Sequence, residues 1–232
     1  MRLYFAFIAL VLVLPASAQP QAAPAAAQPS VTFNFEWSQG IPWQKYSITV
    51  QADGNTHFQG TPAPDAAGGD TDLFQQDFTM SEANRTKVFD LAKKLNYFQG
   101  NFESPLKRIA RTGSKALEYK SATANGSTTY NWLQNADVQE LTNLFTAIAS
   151  TLDYGRKLTF QYRFDKLGMN ARLRELADLQ ANHYAAELNA IAPILRKIAD
   201  DPNTMHISSQ TAQQLLRTLS GLGQPNETPA QP

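Results

Sequence analysis

Tyr46-Ser47-Ile48-Thr49-Val50-Gln51-Ala52-Asp53-Gly54-Asn55-Thr56-His57-Phe58-Gln59 is the most informative run in the chain. Tyr46, Ile48 and Val50 alternate with polar residues, the two-residue period of a strand with one buried face. The Asp53-Gly54 step suits the primed turns that join antiparallel strands, which need positive φ. Tyr46 to Ala52 is therefore expected to pair antiparallel with Thr56 to Gln59. Upstream, Val31, Phe33, Phe35 and Trp37 repeat the same alternation and predict a further strand.

Downstream, a Pro/Gly/Asp loop spans Gly60 to Asp70, and Leu73, Phe74 and Phe78 suggest another strand. Thr79 and Glu82 match a capping box, which satisfies the first orphan amides of a helix. Val88, Leu91, Ala92 and Leu95 then recur at helical spacing to about Asn96, with Tyr97 and Phe98 expected under the sheet. A second hairpin joins Ala116 to Thr123 with Ser127 to Leu133 through Asn125-Gly126, a strong hairpin signal. From Asp137, read as an N-cap, Val138, Leu141, Leu144, Phe145, Ile148 and Leu152 form an apolar stripe that predicts a helix to about Tyr154.

Leu158, Phe160, Tyr162 and Phe164 alternate like a strand, yet Phe160, Phe164, Leu167 and Ala171 share one helical face. The helical reading is preferred, because Leu173, Leu176, Leu179, Leu188, Ile191, Leu195 and Ile198 continue that rhythm, with Pro193 forcing a kink or break. A last helix from Ser208 or Ser209 carries Leu215, Leu216 and Leu219. The order implies an α+β fold: an antiparallel sheet of about six strands with two hairpins, helices on one face and a helical C-terminal half.

The ends of the chain differ in composition from this body. Arg2, the apolar run Leu3 to Leu14, Pro15 and the triplet Ala16-Ser17-Ala18 form a secretory signal peptide too short to remain as a membrane anchor. Cleavage after Ala18 gives the expected organisation: 1–18 signal peptide, 19–30 flexible Ala/Pro/Gln leader, 31–155 α+β domain, 156–220 helical region and 221–232 disordered tail. No other stretch is apolar enough to span a bilayer. The expected location is therefore exported, periplasmic or extracellular. There is no Cys, so no disulfide is possible and stability must come from the buried core. A formal charge of zero and a pI near 6.8, with no basic cluster, exclude nucleic-acid binding.

Three local motifs bear a resemblance. The strand and turn Tyr46 to Gly54, the helix end Leu95-Asn96-Tyr97-Phe98 and the strand Thr112 to Tyr119 resemble uncharacterised exported bacterial α+β proteins, over roughly Phe33 to Arg217. That resemblance implies the fold and brings no assigned activity or catalytic residue.

Ser104-Pro105-Leu106-Lys107 fits S-x-x-K, in which Lys107 would activate a Ser104 nucleophile. Neither S-D-N nor K-T-G completes such a site, and Ser104 before Pro105 also reads as an N-cap. His57, His183 and His206 are dispersed, without metal-ligand spacing. Asp65, Asp70 and Asp72 place hard oxygen ligands in a Gly-rich loop, where Asp also serves turn geometry. Phe33, Phe35, Trp37, Trp43 and Trp132 could build a stacking platform or simply a core, with Trp37 and Trp43 expected to be the most exposed. No cofactor is expected.

The functional expectation is an exported, non-enzymatic module that binds another envelope or extracellular protein. The alternatives are a hydrolase using Ser104 and Lys107, and a peripheral membrane protein using the stretch from Met169 to Ile198, whose bases Arg172, Arg174, Arg196 and Lys197 are diluted by Glu175, Asp178 and Glu187.

Overall fold

Residues 28–37, 39, 42–64, 72–104, 113–132 and 134–219 are described by a computed structural model. The signal segment, most of the leader and the tail lie outside the described residues, as do Asp65, Asp70 and Lys107.

Strands β1 (Ser30–Glu36), β2 (Trp43–Gln51), β3 (Asn55–Pro62) and β4 (Phe74–Thr79) form a meander. Strands β5 (Ser114–Lys120) and β6 (Asn125–Tyr130) add to its free edge at β1, giving the order β4-β3-β2-β1-β5-β6 with every pair antiparallel. Helices α1 (Glu82–Lys94), α2 (Ala136–Phe164), α3 (Met169–Ala181), α4 (Ala192–Asp200) and α5 (His206–Leu219) complete the α+β fold. The first hairpin turns through three residues, Ala52 to Gly54, where the Asp-Gly step predicts a two-residue primed turn; Gly54 alone of them is left-handed, with φ 93°.

The alternation read from the sequence becomes the division of the sheet into two faces. Val31, Phe33, Tyr46, Ile48, Val50, Phe58, Leu117, Tyr119 and Tyr130 are buried on one face. The other face carries the row Glu118, Thr32, Thr49, His57 and Asp77, aligned strand by strand, and is polar. Helix α2 lies along the apolar face: Phe145 stacks on Phe33 at 5.2 Å, and Tyr130 donates its hydroxyl to Thr142 at 2.6 Å.

Four local expectations are corrected. The first is the proposed capping box. Ser81 is the N-cap of α1 and makes no side-chain cap bond, while Thr79 ends β4; the cap comes from a distant residue described below. The second concerns the hairpin of β5 and β6, which turns through Ser121 to Ala124, with Lys120 opposite Asn125. Gly126 therefore lies inside β6, and its backbone is not in the positive-φ region, which among the described glycines holds only Gly54 and Gly113. Its smallness matters for a different reason: a Cβ there would overlap the carbonyl of Tyr97, where the 3-10 turn Asn96–Phe98 crosses the strand.

The third correction is to α2, which begins two residues earlier than an N-cap at Asp137 implies. Its cap is Asn135, whose side chain accepts from the amides of Asp137 (3.0 Å) and Val138 (3.1 Å). The ambiguous run Leu158 to Phe164 is helical, and it continues α2 without a break. The boundary drawn at 155/156 thus falls inside one helix. The fourth is α5, which starts at His206, before either Ser208 or Ser209.

Pro193 sits in the first turn of α4, where its missing amide is harmless, so it opens a helix instead of kinking one. Leu173, Leu176, Leu188, Ile191 and Leu195, the stripe that a membrane-bound reading would expose, are all buried. They share one cluster with the sheet residues, running from Val31 to Leu215. Each such Leu or Ile contributes roughly 1.5–3 kcal/mol over its exposed state, which ties the helical half to the sheet.

Candidate partner-binding surface

The last turns of α2 emerge from this core. Its N-terminal half is buried nearly all round, through Val138, Leu141, Phe145, Ile148, Ala149 and Leu152. Beyond Leu158 the helix meets neighbours on one side only, and Phe160, Phe164 and Leu167 are 60%, 72% and 82% exposed. The two rings stack at 5.0 Å between centroids, as residues four apart on a helix do. Leu167 lies in the turn that follows α2; single exposed apolar residues are ordinary, but three large ones within eight residues make this end of the helix a candidate interaction surface.

The polar surroundings hold this end in place. Lys166 pairs with Asp201 at 2.9 Å and packs over the Tyr162 ring at 5.2 Å, fastening the helix end to the segment between α4 and α5. The Lys166 hydrogen bond, with the Asn203 amide, holds the Asp201 carboxyl well below the usual carboxylate range. Lys157 and Arg156 both pair with the buried Asp153, at 2.7 and 3.0 Å. Arg163, adjacent to Phe164 in sequence, has no ion-pair partner among the described residues. Asp165 is turned back on the chain, accepting from the Gly168 amide at 3.0 Å. The surface is an aromatic knob flanked by one base without an ion-pair partner among the described residues, Arg163.

A second feature joins the two halves of the molecule. Glu187 precedes the 3-10 turn Leu188–Ile191 and is buried, with φ 56° and ψ 48°. Its carboxylate accepts from the Ser81 amide (3.0 Å), the Ser81 hydroxyl (2.6 Å) and the Asn84 side chain (2.7 Å). These groups sit at the N-terminus of α1, so Glu187 supplies the cap and the negative charge that this end favours. Asn189 adds a bond to the Thr79 carbonyl at 2.7 Å. Asn84 is thereby engaged in the contact between the two halves.

The residues singled out from sequence do not converge. Ser104 is buried, and its amide donates to the Trp132 carbonyl at 2.8 Å, so it ties a loop to the exit of β6; Lys107 lies outside the described residues. Of the three aspartates, Asp72 is exposed and Asp65 and Asp70 are outside the described residues. Among the described residues no cluster of His, Asp or Glu could hold a metal ion. No protein-family model and no curated protein matches this chain.

Trp43 is corrected from a candidate ligand platform to a core residue. It is 2% exposed, donates its indole N–H to the Ala149 carbonyl at 2.9 Å and meets Phe58 edge-on at 5.0 Å. The cause is a bulge: the register with β3 shifts between Trp43 and Lys45, which turns Trp43 onto the same face as Tyr46. Trp37 is half-buried, and its backbone pairs with Gln44. Of the helical face expected from Phe160, Phe164, Leu167 and Ala171, only the two Phe share a helix: α2 ends at Phe164, Leu167 falls in the turn and Ala171 in α3, and nothing in the sequence shows that the Phe pair would lack a partner. Glu187 carried no local signal, because its partners are more than a hundred residues away.

Proposed function

We propose that this protein is an exported binding module that docks on another protein of the envelope or extracellular space through the exposed end of α2. The observation that carries the reading is the exposure of Phe160 and Phe164 at the end of α2 and of Leu167 in the turn that follows, beside the Lys166–Asp201 pair. Burying three such side chains against a partner recovers hydrophobic free energy that folding leaves unused. The unpaired Arg163 favours a partner surface that carries an acid beside an apolar centre. Export is supported by the sequence of 1–18. Among the described residues no helix is long and apolar enough to cross a membrane.

The test is a photo-crosslinking amino acid placed at Phe164 in the producing cells, with Thr129 on the exposed sheet face as the control position. The expected result is a discrete protein adduct at 164 that is absent at 129 and lost on Arg163→Glu. Equal adducts at both positions, or none, would remove the proposal. So would co-flotation of the purified protein with anionic vesicles that depends on Phe164, which would assign the surface to lipid. Export is tested separately by N-terminal sequencing: Gln19 is expected, and an intact Met1 on the soluble extracellular species would refute it.

A further inference from the structure

A cleft of about 290 Å³ opens between β4, α2 and α4, apart from the exposed aromatic end. Its floor is apolar and closed: Ile191, Ile194, Ala190 and Gly155 are buried, and Phe74 forms the wall on the sheet side. Gly155 is what lets the two helical segments meet there, since a Cβ at that position would overlap the Ile191 side chain. The Gln76 side chain donates to the Ala190 carbonyl and latches this turn to the edge strand. The mouth is formed by the exposed residues Thr159, Pro193 and Lys197.

The charge in this cleft is one-sided. Its lining includes two bases, Arg156 and Lys197, and no acid. Lys197 has no ion-pair partner among the described residues. Arg156 gives one nitrogen to Asp153 at 3.0 Å and lies over the Trp43 ring at 5.8 Å, but its Nε is buried without an acceptor. Asp153 cannot neutralise the pair of cations, because it also serves Lys157 at 2.7 Å. The rest of the guanidinium is partly exposed at the cleft, where a carboxylate would gain a charge-assisted hydrogen bond with no acid of the lining to compete. The hydrophobic floor requires that the anion carry a hydrocarbon body. A cleft of this volume lies at the lower limit of small-molecule sites, about 300 to 1,000 Å³, which restricts the body to a short one.

We infer that this cleft binds a small apolar monocarboxylate, its hydrocarbon part on Phe74, Ile191 and Ile194 and its carboxylate facing Arg156 and Lys197. The site is independent of the partner-binding surface, and either can be wrong without the other.

Isothermal titration of the full chain with sodium octanoate tests it, with octan-1-ol and sodium acetate as probes of the chain and the charge alone. Octanoate should bind saturably at one site, and each control at least about tenfold more weakly, the equivalent of one charge-assisted contact. Lys197→Met should weaken octanoate about tenfold, and Thr159→Trp, which closes the mouth, should remove binding. Both replaced residues are exposed, so unchanged melting curves are expected and separate loss of the site from loss of the fold. Octanol binding as tightly as octanoate, octanoate binding that survives Thr159→Trp, or the absence of saturable heat would each overturn the inference.

Discussion

The carboxylate of Glu187 and the hydroxyl of Ser81, 106 residues apart in sequence, lie 2.6 Å from one another, and through that contact the C-terminal half caps a helix of the sheet domain. The capping residue is in the left-handed backbone region, which non-glycine residues enter at a cost. That cost is offset by three hydrogen bonds to a helix N-terminus. Glu187→Ala is expected to destabilise the protein by about 1–2 kcal/mol, the loss of a helix cap whose donors at Ser81 and Asn84 water can partly reach. Glu187→Gln keeps one acceptor and should lose roughly half as much. Urea denaturation measures both, and an unchanged midpoint for Glu187→Ala would mean that the clasp contributes nothing.

Gly126 and Gly54 are both glycines of hairpins, yet they are constrained by different physics. At Gly54 the φ of 93° disfavours any side chain, while a Cβ would meet its neighbours at ordinary contact distances of 3.5 Å or more. At Gly126 the backbone is ordinary and the space is filled by Tyr97. Asn tolerates the left-handed region better than Ala, so Gly54→Asn should be milder than Gly54→Ala. Gly126→Asn and Gly126→Ala should instead both cost about 1–3 kcal/mol through overpacking. Thermal melts of the four variants decide the matter: relief by Asn at position 126 would restore the turn explanation.

These two glycines also mark how far the sequence could be read. The strands and the two hairpin pairings, β2 with β3 and β5 with β6, follow from alternation and turn residues, which are local and therefore legible; that β5 pairs with β1 does not. The bulge at Trp43, the cap from Glu187 and the crowding at Gly126 are long-range events, fixed by which segments come together, and left no trace in any window. Thr79 and Glu82 had the form of a capping box, but the chain begins the helix after Ser81 and fills the cap from elsewhere. Similarly, α2 was read as ending near Tyr154 because its apolar stripe weakens there. The helix in fact continues, and the stripe weakens because the core ends.

Alkaline pH should weaken the fold through Tyr130. Burial pushes its hydroxyl up to about 12 from an ordinary value of 10. Thr142 spends its single proton on the Val138 carbonyl at 2.7 Å, so Tyr130 must be the donor between the two hydroxyls. The folded state thus keeps a proton that the unfolded chain loses above pH 10. Its stabilising effect is complete below pH 10 and disappears as pH rises towards 12, an amount of about 3 kcal/mol over two pH units. Tyr46, shifted upward chiefly by burial, adds to the same slope. Denaturation at several pH values should show a steep decline above 10, and Tyr130→Phe should flatten it; an unchanged slope in that variant would place the titration elsewhere.

The exposed end of α2 makes the opposite prediction from the core of the same helix. Leu152 is buried beneath the sheet, and Leu152→Ala should cost about 2–5 kcal/mol, from lost transfer free energy and a cavity. Phe160 and Phe164 are larger, so a ranking by residue type alone would expect more damage from replacing them. Their rings remain mostly in water, and the contact between them is a surface pair of the kind that contributes only a few tenths of a kcal/mol. The double substitution Phe160→Ser with Phe164→Ser should therefore change folding free energy by no more than about 0.5 kcal/mol, while removing most of the apolar knob. Equilibrium denaturation of the two variants side by side is sufficient. A loss above about 1 kcal/mol in the double variant would show that these rings pack on the fold, and would withdraw the surface on which the partner-binding proposal stands.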